Sequence, residues 1–248
     1  DFLRHHRAYI TGVIDRIDEC VDEEGNENLA KQRFLDWPSS PNQPGVEAGC
    51  RALLSWALKD AEVLCNLLEE QEHAKKCRAI SKRLKKQIKQ PNGLKQAAAL
   101  MSIAGLMKPE QACSEVISVD GAKDFSTFYG YYMLQDWIHN AARLDDFVPE
   151  GKDDIHGDFG DYCYPSFRHS FCHGWASGPT PWMTQHILGV EIVDAGCKTL
   201  RITPHLGDLE WAEGTFPTPL GIVYIKHVKG ADGKIVSTVK APDGIKVI

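Results

Sequence analysis

The sequence predicts a chain of helices followed by strands, and two patterns favour this fold class. Up to about residue 135, apolar residues recur at steps of three and four, the spacing of one face of an α-helix. After Gly189, short runs alternate apolar with polar residues and are separated by turn residues, which indicates β-strands. We therefore expect a helical domain at residues 1–189 and a small antiparallel β domain, consistent with a sandwich, at residues 190–248.

The helical part is predicted from amphipathic spacing and turn residues. The first helix covers residues 1–21, and Gly25 in the following turn permits the chain to reverse. In the second helix, Leu58 and Leu67 belong to the inner face, and small residues such as Gly49 would let another helix approach closely. Short links between helices favour antiparallel hairpins. Four further helices are expected at residues 46–70, 72–89, 94–104 and 125–135, and another begins after Pro109.

A proline-rich stretch separates the first two helices. Pro38, Pro41 and Pro44 forbid a regular helix there, so Asp36 and Trp37 are expected on a loop. Such a loop either plugs the core or contributes to a site, and the local sequence favours the plug.

The strands are predicted from alternation and turn signals. Residues 221–229 alternate strictly, with Tyr224 and Lys226 on one face and Ile225 and His227 on the other. The Asp-Gly pair at residues 232–233 is a strong hairpin signal. Other strands are expected at residues 199–203, 207–213 and 234–240.

Composition and charge exclude several function classes. The 248 residues carry a net charge of −6, and the one basic run, at residues 82–89, has the spacing of a solvated helix face. We therefore expect no nucleic-acid partner. No apolar run is long enough to span a bilayer, so we expect no membrane span.

The compartment stays open at this stage. No signal peptide opens the chain, which predicts a cytoplasmic protein, or a periplasmic or secreted one if a signal peptide precedes this sequence. The eight cysteines are scattered without a CxxC pair, so we expect no disulfide framework.

The densest group of chemistry-bearing residues lies at residues 156–189. Aromatic rings beside hydrogen-bonding groups suit a sugar, which offers apolar C–H faces and hydroxyls, although buried histidines are also often merely hydrogen-bonded. His169 and His173 have the spacing of zinc ligands on a helix, but the sequence between them lacks the Glu of a catalytic HExxH motif. We predict neither a metal nor a cofactor.

Several long motifs resemble one enzyme family. HGDFGDYCY, RHSFCHGWASGPTPW and ITPHLGDLEWAEGTFPTPLG, together with FLDWP and PGVEAG, resemble the C-terminal part of bacterial α-L-rhamnosidases of glycoside hydrolase family 78. The resemblance runs through nearly the whole chain. It implies part of an (α/α)6 barrel at residues 1–189, followed by a C-terminal β-sandwich domain at residues 190–248.

The resemblance also implies that the catalytic carboxylates are absent from this chain. Members of the family are inverting hydrolases with two carboxylic acids, one in an acidic motif upstream of this region. The other is a Glu expected between the helix that ends near Gln135 and the segment at His156. The resemblance implies that a few dozen residues, with that Glu, are missing at the join of Gln135 and Asp136.

The resemblance assigns substrate binding rather than chemistry to residues of this chain. His173 matches a family histidine that contacts rhamnose, and weaker candidates for the pocket wall are Trp37, Asp36, His156, Asp158 and Trp175. Trp211 and Glu213 are expected to pack or to bridge the domain interface.

We therefore expect a rhamnose-containing glycan or glycoside as partner, and a homodimer is compatible with the sequence. The complete protein would be an α-L-rhamnosidase, and the chain alone would be inactive. The alternatives are a non-catalytic carbohydrate-binding protein on the same scaffold and a helical interaction protein with a β cap.

Overall fold

The computed structural model describes residues 2–29, 32–36, 39–121, 129–133 and 177–248. Contacts divide the chain into two compact units, each described by itself below. The first unit includes the described residues up to Asp120 and residues 129–133, and the second includes Gly121 and residues 177–248. The predicted boundary at residue 189 stays a prediction.

The first unit is helical, as the spacing of its apolar residues predicts. Its described helices are α1 (Phe2–His5), α2 (Arg7–Cys20), α3 (Gln43–Leu67), α4 (Gln71–Leu84), α5 (Lys95–Ile103) and α6 (Pro109–Ala112), which continues into a π-helical turn at Cys113–Ile117. Residues 129–133 are also helical. The predicted helix at residues 125–135 is therefore confirmed over those five positions, and the rest of it lies outside the described residues.

The start of α3 corrects the expectation that Pro44 belongs to the loop. The helix begins at Gln43, and Pro44 lies in its first turn, where the missing N–H of proline breaks no helical hydrogen bond. Asn42 caps the helix, because its side-chain oxygen accepts a hydrogen bond from the Gly45 N–H at 3.1 Å. At the other end, Leu67 is 69% exposed, so its predicted place on the inner face is wrong.

Helix α5 forms the centre of one hydrophobic cluster. All its residues from Lys95 to Ser102 are buried, so the helix is enclosed by protein on every side. Around it pack the first half of α3, Leu35 of the preceding loop, the turn after α6, and Tyr129 and Met133.

Small residues on α3 permit this packing. A β-carbon on Gly49 would collide with Cδ1 of Leu35 and would lie 3.4 Å from Cα of Ala97 in α5. A β-carbon on Gly45 would lie 2.8 Å from Cβ of Leu94. The predicted close approach of a helix to the small residues of α3 is therefore confirmed.

A second cluster joins α2, α3 and α4. Its buried residues include Ile14, Leu58, Cys65 and Ile80. The buried Arg51 donates hydrogen bonds to the carbonyl oxygens of Gly25 at 2.8 Å and Leu84 at 2.9 Å. These bonds tie the turn after α2 to the end of α4.

From residue 177 onward, the described part of the second unit has a helix followed by two three-stranded sheets. Helix α7 (Pro179–Trp182) continues into a π-helical turn at Met183–Ile187. The strands are β1 (Val190–Ile192), β2 (Thr199–Ile202), β3 (Trp211–Thr218), β4 (Gly221–Lys229), β5 (Ile235–Lys240) and β6 (Lys246–Val247). Sheet order is β1-β2-β6 in one and β3-β4-β5 in the other.

Two details of the predicted β domain need correction. Strand β3 begins at Trp211 rather than at residue 207, because residues 207–208 form a turn. The domain is not purely antiparallel, since β2 pairs with β6 in parallel. The alternation along β4 and the hairpin between β4 and β5 are confirmed.

The two sheets share one core. Leu188, Val190, Leu200, Val223 and Ile225 form a single buried cluster. His227, on the same face of β4 as Ile225, is fully buried and has both ring nitrogens engaged, Nδ1 with Ser237 Oγ at 2.8 Å and Nε2 with the Leu188 carbonyl at 3.1 Å. It is a hydrogen-bonded core histidine, and Ser237 supplies its partner.

The order of helices followed by small sheets is confirmed, and a barrel portion and a sandwich stay predictions. Among the described residues, no helix is both long and apolar enough to cross a membrane. The six cysteines in this part of the chain are free thiols.

The fit between α3 and Leu35 gives a stability prediction. Gly49→Ala should lower the free energy of unfolding by about 1–3 kcal/mol, because Leu35 is buried and cannot move aside without strain. The control is Gly12→Ala in α2, where a β-carbon meets nothing within 4 Å. That variant should gain roughly 0.5–1 kcal/mol from lower backbone entropy in the unfolded chain. Urea denaturation measures both, and equal effects would contradict the packing argument.

Candidate functional site

The candidate site is built around Asp36, the predicted site residue that lies within the described part of the chain. Its side chain is fully buried. Oδ1 accepts a hydrogen bond from the Ser39 N–H at 2.9 Å, and Oδ2 accepts one from Nε2 of Gln96 at 3.0 Å. The carboxyl group therefore links the proline-rich loop to α5.

Two serines hold the backbone of the same turn. The Asp36 carbonyl accepts hydrogen bonds from the hydroxyls of Ser39 at 3.1 Å and Ser40 at 3.0 Å. An Asp that bonds the backbone N–H three residues ahead closes the loop in the way such residues close turns. Asp36 is thus anchored to Ser39 and Ser40, and its burial supports the plug that local sequence favours.

Leu35 fixes the position of this turn from the other side. It is 1% exposed and fills the space that Gly49 leaves on α3. Because Leu35 and Asp36 are adjacent, the packing of one and the hydrogen bonds of the other together hold the backbone at these two residues.

Aromatic rings lie near the buried carboxyl group. Burial raises the pKa of Tyr129 well above its usual value, and the neighbouring Cys50 and Asp36 raise it further. Tyr129 contacts Tyr132 with ring centroids 5.4 Å apart, and Tyr132 meets Trp56 of α3 edge to face at 5.8 Å. Trp56 and Tyr132 are partly buried, so the set forms an aromatic wall beside the loop.

Sequence reasoning missed Trp56, Gln96, Tyr129 and Tyr132, which belong to this group. Gln96 stands in an alanine-rich helix and gives no local signal of its contact with Asp36. Tyr129 and Tyr132 belong to the YGYY run, which was interpreted only as an apolar helix. The density of tyrosine in that run was the available signal.

The arrangement suits binding and positioning rather than metal chemistry. A buried carboxyl group with protein donors on both oxygens holds a loop in place, and partly buried rings offer surface to an apolar ligand face. Among the described residues, no group of three or more His, Cys, Asp or Glu could hold a metal ion.

The other predicted site residues lie outside the described residues. They are Trp37, His156, Asp158, His173 and Trp175. The same holds for the join of Gln135 and Asp136, so the missing segment stays a prediction. Trp211 and Glu213, expected at a domain interface, lie on an exposed face of β3, where Trp211 is 56% exposed.

Solved structures with a similar fold are α-L-rhamnosidases. A family 78 rhamnosidase from Bacillus sp. GL1 has 18% identity and a TM-score of 0.72, over 99% of this chain and 30% of that one. A Streptomyces avermitilis α-L-rhamnosidase complexed with L-rhamnose has 14% identity and a TM-score of 0.69, over 99% and 27%. An Aspergillus terreus α-L-rhamnosidase has 18% identity and a TM-score of 0.56, over 79% and 27%.

These comparisons establish a likeness of fold. The chain spans about a third of the length of these relatives or less, 27–30% of each. No family model matches the sequence, and no curated protein matches it either.

The contacts of Asp36 predict that its removal destabilises the protein more than removal of an exposed carboxylate does. Asp36→Ala should lower the free energy of unfolding by about 1–3 kcal/mol, because the buried Ser39 N–H and Gln96 amide lose their acceptor. The control is Asp60→Ala on the exposed side of α3, expected to change stability by no more than about 0.5 kcal/mol. Chemical denaturation followed by circular dichroism at helical wavelengths would measure both, and a harmless Asp36→Ala would rule out the anchoring role.

Proposed function

We propose that this chain is the C-terminal portion of an inverting α-L-rhamnosidase, with part of an (α/α)6 barrel and a C-terminal β-sandwich domain. The observation that carries the proposal is the likeness of fold over 99% of the chain to the Bacillus sp. GL1 rhamnosidase. The motifs of the sequence resemble the same family, and they span the helical and the β part alike. Two independent kinds of likeness therefore support one family.

In this proposal the anchored loop is one wall of the sugar pocket. Asp36 and Leu35 anchor this loop, the aromatic rings of Tyr129 and Tyr132 lie nearby, and Trp37 is a proposed wall residue. His173 contacts the bound rhamnose. The remaining proposed wall residues are His156, Asp158 and Trp175.

The chemistry belongs to carboxylic acids that this chain does not supply. In an inverting hydrolase one acid protonates the leaving glycosidic oxygen, and the other activates a water on the opposite face of the sugar, with the two about 6.5–9.5 Å apart. Asp36 is assigned neither role, because its carboxyl group is buried and bonded to Ser39 and Gln96. Its part is to position the loop.

The first test asks for activity of the chain by itself. The 248-residue chain should release no rhamnose from an aryl α-L-rhamnoside, because each positioned acid or base contributes typically ~10²–10⁴ in rate. Spectrophotometry of the freed phenol would measure this, with an active α-L-rhamnosidase as the positive control. Turnover comparable to that control would contradict the assignment of the acids to missing segments.

A second test concerns His173 in a longer protein that includes those segments. His173→Ala should weaken rhamnose binding by about 1–3 kcal/mol, because a buried sugar hydroxyl loses its partner. The melting temperature should stay nearly unchanged. Calorimetry with L-rhamnose measures the affinity, and His205→Ala, on the exposed loop before β3, is the matched control.

The outcomes distinguish enzyme from binder. Unaltered affinity, or an unfolded variant, would make His173 a core histidine. Rhamnose binding by the longer protein without any hydrolysis would favour a carbohydrate-binding protein on the same scaffold.

A further inference from the structure

The outward face of the sheet β3-β4-β5 carries large apolar side chains that are exposed among the described residues of the second unit. Trp211 is 56% exposed and Tyr224 is 55% exposed, and Ile222, Val228 and Val236 on the same face are also exposed. Exposed apolar surface framed by polar groups is typical of an interaction site. The inward face of the central strand β4, with Val223, Ile225 and His227, is buried, so the large exposed side chains of β4 lie on its outward side.

A groove runs over the middle of this face. It has a volume of about 500 Å³ and is lined by Glu213, Thr215, Tyr224, Lys226, Thr238 and Lys240. The register explains the grouping, because Glu213 lies opposite Lys226 and Thr215 opposite Tyr224, while Thr238 and Lys240 pair with the same two residues from β5. Two cross-strand rows of side chains therefore line the groove.

The two aromatic rings lie at a spacing that suits an extended ligand. Trp211 lies opposite Val228, four residues along β4 from Tyr224, which is roughly 13 Å at the usual strand rise. The ammonium group of Lys226 lies 5.9 Å from the centre of the Trp211 ring and bonds Glu213 at 3.0 Å. Tyr224 has no such cation over its ring among the described residues, so its exposed face is open to a ligand.

The charges of the groove do not balance. Glu213 and Lys226 neutralise each other, and this leaves Lys240 beside Tyr224. Among the described residues, Lys240 forms no ion pair. The groove therefore carries a surplus positive charge on a chain whose net charge is −6.

We propose that this groove binds an oligosaccharide that contains a uronic acid. The Tyr224 ring stacks on the apolar face of one sugar, and the Lys240 ammonium pairs with the carboxylate of the uronic acid. The hydroxyl of Thr215, opposite Tyr224, and the hydroxyl of Thr238, opposite Lys226, bond sugar hydroxyls. The site lies in the second unit, needs no catalytic carboxylate, and goes beyond the proposed hydrolysis of rhamnosides.

The test uses one trimer of galacturonic acid in two forms. Isothermal titration calorimetry with the 248-residue chain compares the free acid with its fully methyl-esterified form, which has the same rings and no charge. The free acid should bind at least about tenfold more tightly. Tyr224→Thr, which keeps a β-branched residue in the central strand, should weaken both forms about tenfold. Lys240→Gln should bring the two affinities together.

Matched variants control for general effects. Lys246→Gln on β6 of the other sheet and Tyr9→Ala, 73% exposed on α2, should leave the affinity unchanged. Amide shifts of Thr215 and Thr238 on titration would locate the ligand.

Three results would overturn the proposal. These are no binding of the free acid, equal binding of acid and ester, or an equal loss with Lys246→Gln. Concentration-dependent dimerisation that Tyr224→Thr abolishes would assign the face to a second copy of the chain instead.

Discussion

Where α3 passes α5, Gly49 leaves room for the side chain of Leu35 and brings the helix within van der Waals reach of Ala97. The rest of the first unit depends on this close approach. Helix α5 is enclosed on every side, so its neighbours must be small or must fit around it. Leu35 fills the remaining space, and its position sets that of Asp36 next to it. The backbone at Leu35 and Asp36, at the start of the proline-rich stretch, is thus held in a defined position.

Buried polar groups also hold the loops of the first unit in place. The Asp36 carboxyl group joins its loop to α5, and the Arg51 guanidinium joins the turn at Gly25 to the end of α4. The Glu27 carboxylate accepts hydrogen bonds from Arg33 Nε at 2.6 Å and from the Leu29 N–H at 2.7 Å. Each of these groups is removed from water by burial, and its protein partners replace the hydrogen bonds that water would make. Alternative paths of the chain that lack these partners are therefore disfavoured. In the second unit His227 has the same role between β4, β5 and Leu188.

The sequence predicts the elements well because they depend on local patterns. Periodicity locates α5 and β4 to within one residue, since both are bounded by strong turn signals. The predicted start of α3 is wrong, because the sequence does not distinguish a proline in the first turn of a helix from a proline in a loop. The hydrogen bond by which Asn42 caps the helix is visible only in the structure. The parallel pairing of β6 with β2 is missed because a pairing between strands far apart in the chain leaves no mark in either strand alone.

The site is less predictable, since its contacts are all long-range. Asp36 was singled out from DWP, but its partner Gln96 lies sixty residues away. That partner decides what the carboxyl group can do. A carboxyl group that water does not reach, and whose two oxygens accept from a backbone N–H and a side-chain amide, is suited to orient a loop. A general acid must exchange a proton with the substrate. The Asp36 carboxyl group contacts protein donors instead, so it is not placed for that role. The contacts of Asp36 therefore fit the positioning role that the proposal gives it, and a likeness of fold alone would not assign that role.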